Sequence, residues 1–284
     1  MGGVVRTCAL AGVAVGPGNP VRVMAVVNVS LDSFYRGSVR RSLDEIRDAA
    51  LRFVDEGADF IDVGAMSTAP YKSVEVAEAD EIERMARAVD SIARVVTVPI
   101  SVDTIRPAVA RAGLAAGARV VNDVGGLRLP EMGEIAARAE GIVLMAAPGA
   151  GEATVSAGPI EQVAGDLRAA LARAARSGVR SDHIVVDPGI GFYTTAEWPA
   201  VEFNCAVLRD LSHLDAMGYP VLVGVSRKSF IGTLTGRRGP EERLAGSMAA
   251  TAIAVWNGAA IVRTHDVAAT LDVVRVARGI AAAR

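Results

Sequence analysis

Cysteine, histidine and aromatic residues are scarce in this 284-residue chain: two Cys, three His, and 4% Phe, Trp and Tyr together. Cys8 and Cys205 stand far apart and outside any C-x-x-C, so neither a disulfide framework nor a zinc site is indicated. Both are expected to be small buried hydrophobes. No excess of one charge exists either: 30 Lys and Arg face 32 Asp and Glu, a formal charge of -2. With pI near 6.0 and arginines scattered along helical segments, nucleic acid is not the expected partner, because phosphate-backbone binding requires clustered cations. Long apolar runs are also missing. The N-terminal stretch RTCALAGVAVG is too short to span a bilayer, and no small-residue cleavage pattern follows a basic start. A soluble cytoplasmic protein is expected, without membrane association, with residues 8–15 forming an extra strand or hairpin.

What the chain does have is apolar character, 51% of it, distributed as eight short runs that each end in a polar or glycine-containing segment. They read VMAVVN ending at Asn28, FIDVG at Gly64, PISVD at Asp103, VVND at Asn122, IVLM at Met145, IVVD at Asp187, VLVGVS at Ser226, and IVRTH ending at His265. Between them lie segments with helical periodicity, near 43–56, 74–95, 106–116, 130–139, 160–177, 199–217, 241–257 and 266–279. Ser42 with Glu45 resembles a capping box, and Pro107, Pro130 and Pro199 fall where a first helical turn would begin. The repeats G-A-D-F-I-D-V from Gly57, G-A-R-V-V-N-D-V from Gly117 and G-A-A-I-V-R-T-H from Gly258 each suggest a left-handed glycine closing a helix before a buried parallel strand.

Eight βα units close most simply as a (β/α)8 TIM barrel, here one domain over 1–284 with residues 1–20 as an N-terminal extension. A doubly wound open sheet is the alternative, and it too would place ligands at the carboxyl ends of its strands. One barrel rim then collects Asn28, Asp103, Asn122, Asp187, Lys228, Arg263 and His265. A buried carboxylate is costly unless paired, and a ring with adjacent N–H and NH2 donors could satisfy one bidentately. Any single one of these acids could instead cap a helix or bond barrel backbone; three polar strand ends together favour a ligand.

The segment G-V-S-R-K-S-F-I-G at 224–232 places two cations directly after the seventh strand, where barrels bind substrate and phosphate; as a lone S-R-K-S it could be a solvated loop. Lys228 could donate to a ring carbonyl or nitrogen, while Arg227 could pair with a neighbouring carboxylate. Arg263 and His265, with Asn28 across the barrel, form a plausible anion site, since a guanidinium matches phosphate oxygens with a planar fork. Asn28 could supply an oxygen to Mg2+ bridging a diphosphate, because magnesium takes few protein ligands and keeps several waters. D-P-G-I-G-F at 187–192 allows close backbone approach, and Phe192 either walls an aromatic pocket or plugs the barrel top. That spacing is not G-x-G-x-x-G, so a dinucleotide is not supported. His183 and His213 read as surface or packing residues.

Taken together, N-V-S-L-D-S-F at 28–34, G-A-D-F-I-D-V-G at 57–64, S-T-A-P at 67–70, S-V-D-T at 101–104, N-D-V at 122–124, D-P-G-I-G-F, G-V-S-R-K-S-F-I-G and R-T-H-D-V at 263–267 resemble the dihydropteroate synthase family, in order, from about residue 21 onward. The resemblance implies a transferase joining an arylamine to the methylene carbon of a dihydropterin methyl diphosphate, releasing diphosphate, with Mg2+ as cofactor and a homodimer as the assembly. It implies pterin binding by Asp103, Asn122, Asp187, Lys228 and Met145, and diphosphate binding by Asn28, Thr68, Arg263 and His265. Phe192 and Ser229 would border the arylamine, Asn28 would ligate the metal, and Asn28, Asp32 and Lys228 would carry the chemistry.

Four positions depart from the family pattern: Leu31 replaces a proline, Arg36-Gly37-Ser38 replaces acid-Gly-Gly, Ala69 replaces the arginine of S-T-R-P, and Met145-Ala146-Ala147 replaces Met-His-Met. The altered loops look like the archaeal branch, some of whose members serve methanopterin-type cofactors. Arg36 and Lys72 are then expected to favour an arylamine with an anionic extension, or else to be solvated loop cations. Two other functions share such a pocket: a pterin-dependent methyltransferase serving a corrinoid protein, and a non-catalytic pterin-binding protein. S-R-K-S and R-T-H-D-V favour the synthase over the methyltransferase. The alanine-rich segment LAGSMAATAIAVW at 244–256 could pack into the core or pair two subunits.

Overall fold

A computed structural model of the chain describes residues 5–29, 39–65, 77–149, 158–193, 195 and 197–283, with the backbone alone for 39–42. Ten strands and nine α-helices alternate among these residues. After a hairpin of β1 (Cys8–Leu10) and β2 (Val13–Val15), the barrel strands are β3 (Arg22–Asn28), β4 (Phe60–Gly64), β5 (Ile100–Asp103), β6 (Val120–Asp123), β7 (Gly141–Met145), β8 (Ile184–Asp187), β9 (Val221–Gly224) and β10 (Ala259–Thr264). They close as a parallel barrel in the order β10-β3-β4-β5-β6-β7-β8-β9, which is the TIM barrel and not the open sheet.

The helices are α1 (Val39–Glu56), α2 (Glu78–Ala93), α3 (Pro107–Ala115), α4 (Pro130–Ala136), α5 (Pro159–Arg176), α6 (Ala200–Arg209), α7 (Ser229–Thr235), α8 (Leu244–Trp256) and α9 (Val267–Ala282). Among the described residues none is long and apolar enough to cross a membrane. Pro107 and Pro130 open their helices as expected, whereas Pro199 is one residue early, the N-cap of α6. The first helix starts at Val39, so Ser42 lies inside it and the expected capping box is not its N-terminus. The single helix expected over 241–257 is a 3₁₀ turn, Pro240–Arg243, running into α8, and the preceding α7 was not anticipated. A seven-residue helix holding Ser229, Gly232 and two threonines carries too little periodicity to be read from sequence.

Period-two alternation sorts each strand into an outer and an inner face. Outward residues such as Val23, Val27, Ile61, Val102 and Leu144 join helix residues including Phe53, Met85, Leu167 and Phe203 in one large core. Inward residues near the strand starts, Met24, Phe60, Val120, Val143, Val185, Leu222 and Ile261, form a second core with Cys8, Leu10 and Val15 of the hairpin. The hairpin is therefore the plug of the barrel bottom. Its turn is Ala11-Gly12, both with positive φ (48° and 83°), the two-residue geometry that matches strand twist. Cys8 is buried as expected, and Cys205 on α6 is only partly so.

The repeat glycines Gly57, Gly117 and Gly258 all adopt positive φ, at 106°, 117° and 101°, each just before the next strand. At Gly57 an added Cβ would also stand 2.9 Å from Leu271 Cδ1, whereas at Gly178, φ 78°, it would meet nothing within 4 Å. Positive φ costs a non-glycine residue about 1–3 kcal/mol. Gly57→Ala is thus expected to lose more stability than Gly178→Ala, because it adds a steric overlap with α9 to the same backbone strain. Urea denaturation of both variants checks this, and an equal or smaller loss at Gly57 would contradict it.

Candidate active site

The strands bring the polar run-ends together because each occupies an inward position at a strand's carboxyl end. Asn28, Gly64, Asp103 and Asn122 are successive register neighbours across β3, β4, β5 and β6, Met145 pairs with Asp187 across β7 and β8, and Gly224 pairs with Arg263 across β9 and β10. One mouth of the barrel holds the whole described set. Asp32, Arg36, Thr68 and Lys72, with the departures Leu31 and Ala69, lie outside the described residues, as do most of the segments 29–39 and 65–74 expected to close over the site.

At the centre stands Arg263, whose Nε donates to Asp62 Oδ2 at 2.6 Å and whose Nη2 donates to Asp103 Oδ2 at 2.6 Å. Asp62 also accepts from Asn122 Nδ2 at 3.1 Å. The fork expected for phosphate oxygens is therefore engaged by two carboxylates through Nε and Nη2. Despite burial, Asp62 and Asp103 raise the Arg263 pKa further above its ordinary value, so the guanidinium stays charged. Asp62 was missed as a site residue. Its signal was available: a charged side chain in the middle of F-I-D-V-G, two residues before Gly64 and so on the same face.

In and around this cluster several polar atoms have no partner. Asp62 Oδ1, Ser101 Oγ, Asp103 Oδ1 and Asn122 Oδ1 are buried with no hydrogen-bond partner. Each such group costs about 1–3 kcal/mol when left unpaired, so four together mark a place for a donor-rich ligand. Burial first, then repulsion from Asp62 and Asp187, pushes the Asp103 pKa up to about 7, against the pull of Arg263. A ligand offering two parallel N–H groups would favour its ionised form.

Across the mouth, Asp187 accepts from its own loop, Gly189 N to Oδ1 at 2.8 Å, so it bonds backbone through one oxygen and does not cap the following helix, whose N-cap is Pro199. Lys228 Nζ donates to the Ile190 carbonyl and stands 4.7 Å from the centroid of the Phe192 ring. Burial pulls its pKa down to about 8, with Asp187 opposing. Gly191, at φ 85°, lies against the lysine: a Cβ there would be 2.8 Å from Lys228 Cδ. The loop is pinned from outside by Gly191 N to Asn204 Oδ1 at 2.6 Å and by buried Tyr193, which stacks on Phe203 and donates to Asp166 at 2.8 Å. Phe192 is half-buried beside Lys228, the pocket-wall position, while Tyr193 is the core plug. Met145 is buried beneath Gly189, and Ser229 is exposed at the start of α7.

The remaining wall is nearly neutral. His265 Nδ1 lies 3.0 Å from Ser226 Oγ, and its Nε2 lies 3.3 Å from Asn28 Nδ2, which fits Nδ1–H donating to the serine and Nε2 accepting from the amide. Burial and then Arg263 pull the His265 pKa down to about 4, so the ring is uncharged near neutrality. Asn28 Oδ1 lies on the Gly64 side, 3.7 Å from where a Cβ there would stand. Among the described residues no group of three His, Cys, Asp or Glu could hold a metal, and Asn28 is the described side chain the sequence expectation offers here. That donor set fits Mg2+, which takes one or two protein ligands and completes its shell with water and substrate oxygens.

A model for pterin binding enzymes matches residues 24–265 of this chain. A dihydropteroate synthase of Synechocystis is 37% identical over 266 residues, covering 92% of this chain and 90% of that protein. A probable bifunctional folylpolyglutamate synthase/dihydropteroate synthase of Haloferax volcanii is 38% identical over 261 residues, 90% of this chain and 30% of that longer protein. The structure of Xanthomonas albilineans dihydropteroate synthase with 4-aminobenzoic acid superposes with a TM-score of 0.86 at 35% identity, covering 99% of this chain and all of that one. The same enzyme in complex with 7,8-dihydropteroate gives 0.83. With its barrel, its matched strand ends and these relatives, the chain belongs to the pterin-binding enzyme family, among the dihydropteroate synthases.

Proposed function

We propose that this protein condenses 6-hydroxymethyl-7,8-dihydropterin diphosphate with an arylamine and releases diphosphate, as a soluble cytoplasmic enzyme of folate-type biosynthesis. The observation that carries this is the set of open buried acceptors, Asp103 Oδ1 and Asn122 Oδ1, facing Lys228 and Asp187 across one mouth. A pterin edge carries adjacent ring N–H and amino donors for Asp103 and Asn122, a further ring N–H for Asp187, and a carbonyl and ring nitrogen for Lys228. Met145 and Phe192 supply the apolar surface for its face. The diphosphate then lies toward Arg263, His265 and Asn28, with Thr68 joining from its loop.

In the reaction the methylene C–O bond breaks as the amine lone pair forms the C–N bond, and the amine's proton passes to water or to the departing diphosphate. Mg2+ held by Asn28 and the diphosphate would neutralise leaving-group charge. Lys228 orients the ring while Asp103, Asn122 and Asp187 fix its depth, so that the carbon is presented to an arylamine entering past Phe192 and Ser229. Electron donation from the ring, made easier by ionised Asp103 and Asp187, stabilises positive charge on the departing carbon. Asp32 in the first loop would complete the catalytic set with Asn28 and Lys228.

Identities of 37% to a cyanobacterial and 38% to a haloarchaeal relative are level, so the archaeal-branch placement rests on the loop sequences N-V-S and G-A-M-S-T-A-P-Y alone. On the same basis Arg36 and Lys72 favour an arylamine bearing phosphate.

A second copy of the chain is the partner we infer. Ile253 and Trp256 of α8 and Val276 and Ile280 of α9 are 51%, 60%, 61% and 59% exposed, and they line a groove of about 500 Å³ in which Asp272 is the only charge. A large apolar face of this kind marks an interface, and one continuous patch can meet itself about a two-fold axis. The opposite face of α8, with Ala250, Thr251 and Ala254, packs inward, which is the core role weighed for the alanine-rich segment, and its exposed face is left for the second copy.

Four outcomes are expected. The protein should release diphosphate from the dihydropterin substrate only when an arylamine and Mg2+ are present, and Arg36→Ala and Lys72→Ala should weaken a ribofuranosyl-aminobenzene phosphate more than p-aminobenzoate. Tight pterin binding without turnover for any arylamine would defeat the enzyme reading, and equal losses for both amines would defeat the selectivity. Pterin affinity, followed by fluorescence, should rise as Asp103 ionises near pH 7 and fall as Lys228 loses its proton near pH 8, giving a bell. In Asp103→Asn the acidic limb should vanish, and a flat profile in the parent protein would refute the assignment. Trp256→Glu should halve the mass seen by light scattering; a monomeric parent protein would rule out the dimer.

A further inference from the structure

Two residues that flank the site without entering it are held in conformations that their own sequence positions disfavour. Arg227 has φ 57°, in the left-handed region that a bulky side chain ordinarily avoids. Asp266 occupies the N-cap position of α9, where an aspartate ordinarily accepts a hydrogen bond from the first turn, yet its side chain makes no such bond. Each gives up its local preference for the other: Arg227 Nε and Nη2 donate to the two carboxylate oxygens of Asp266 at 2.8 and 2.6 Å. Neither partner is much exposed, 25% and 18% by side chain, so solvent screens the pair less than a surface bridge.

The rest of Arg227 is committed to the same purpose. Its backbone N–H donates to Ser247 Oγ of α8 at 2.8 Å, its carbonyl accepts from Arg243 Nη1 at 3.0 Å, and its Nη1 donates to the Pro240 carbonyl at 3.2 Å. Asp266 is fixed through its own N–H to Thr264 Oγ1 at 3.0 Å, and that hydroxyl accepts from Thr270 at 2.9 Å. None of these bonds reaches the pocket. Their immediate neighbours do. Ser226 and Lys228 flank Arg227, His265 precedes Asp266, and Ser226 is bonded to His265. The loops after β9 and β10 are thus zipped by two successive pairs, Ser226 with His265 and Arg227 with Asp266.

We propose that the Arg227–Asp266 pair is a latch that sets the position of Lys228 relative to His265, so that both residues act as positioning residues for diphosphate displacement. The proposal rests on the pterin and diphosphate reading of the site. Lys228 belongs to the pole that holds the ring and His265 to the pole that receives the leaving group. The separation of those poles decides whether the breaking C–O bond and the incoming amine are aligned, and a misplacement of about 1 Å can cost on the order of 10²-fold in rate. Local conflict tolerated beside a reactive centre is what a geometric demand of this kind produces.

Arg227→Gly tests this with little risk to folding, because glycine accepts the left-handed φ without strain while the fork is removed. Asp266→Asn removes the charge and keeps the shape. Each variant is expected to keep its melting temperature close to the parent protein's and to lose kcat by about tenfold or more, with the arylamine KM nearly unchanged. The double variant should be no slower than the slower single variant, since both break one interaction. Arg227→Lys, with charge but no fork, should recover only part of the rate. Parental kcat in Arg227→Gly or Asp266→Asn, or losses that multiply in the double variant, overturns the latch alone. A parent protein that binds no dihydropterin diphosphate overturns the reading beneath it, and the latch with it.

Discussion

The site depends on one guanidinium held between two carboxylates at the centre of a barrel. Removing an ion from water costs several kcal/mol even after relaxation, and Arg263 recovers that only through close, short bonds to Asp62 and Asp103. Counted with Asp187 and Lys228, the described mouth holds three acids and two bases. The surplus acid appears as Asp103, pushed toward neutrality by burial, and as acceptor oxygens without partners. The cluster is electrostatically incomplete, and a ligand rich in N–H donors is what completes it.

Such a mouth needs support that the mouth itself does not provide. The lower half of the barrel is apolar throughout, from Met24 and Phe60 to Ile261, and the N-terminal hairpin closes it with Leu10 and Val15. Stability is thereby concentrated at the bottom and around the outer wall, which leaves the carboxyl ends free to hold unpaired polar atoms. Inward positions change from apolar to polar within a single strand: Phe60 to Asp62 on β4, Val120 to Asn122 on β6, Ile261 to Arg263 on β10. Two residues along the chain separate the part of the barrel that holds the fold from the part that binds.

That same two-residue step explains what could be read in advance. Asn28, Asp103, Asn122, Asp187 and Arg263 terminate apolar runs, so period-two alternation alone places them at one mouth, and eight such runs with glycine-closed helices define the barrel. Asp62 escaped because it interrupts a run and does not end one; attention to run-ends passes over a buried charge whose partners come from strands 60 and 201 residues away. The short helix α7 escaped because its propensity is poor and its position follows from Arg227, whose left-handed φ is imposed by Asp266, Ser247 and Arg243. Those are tertiary bonds, and no local pattern encodes them. Arg263 stands at the mouth where its strand end puts it, and its fork meets carboxylates, partners that the run-end pattern did not bring into view beside phosphate.

The neutrality of the wall around His265 bears on turnover. A pocket lined by several fixed cations would bind diphosphate tightly before and after the C–O bond breaks, lowering the energy of the product complex as much as that of the transition state. Here Asn28 is an amide, His265 is held uncharged by burial and by Arg263, and Ser226 is a hydroxyl. Among the described side chains, permanent positive charge reaches this wall chiefly through Arg263, whose field is already divided between Asp62 and Asp103. In the proposed reaction the charge that develops on the leaving group meets the fixed dipoles of this wall, the Asn28 amide among them, and the part of the Arg263 field that Asp62 and Asp103 leave. Interaction that strengthens with the developing charge favours the transition state over the bound product, and a wall of neutral side chains adds to it without tightening diphosphate binding as further fixed cations would.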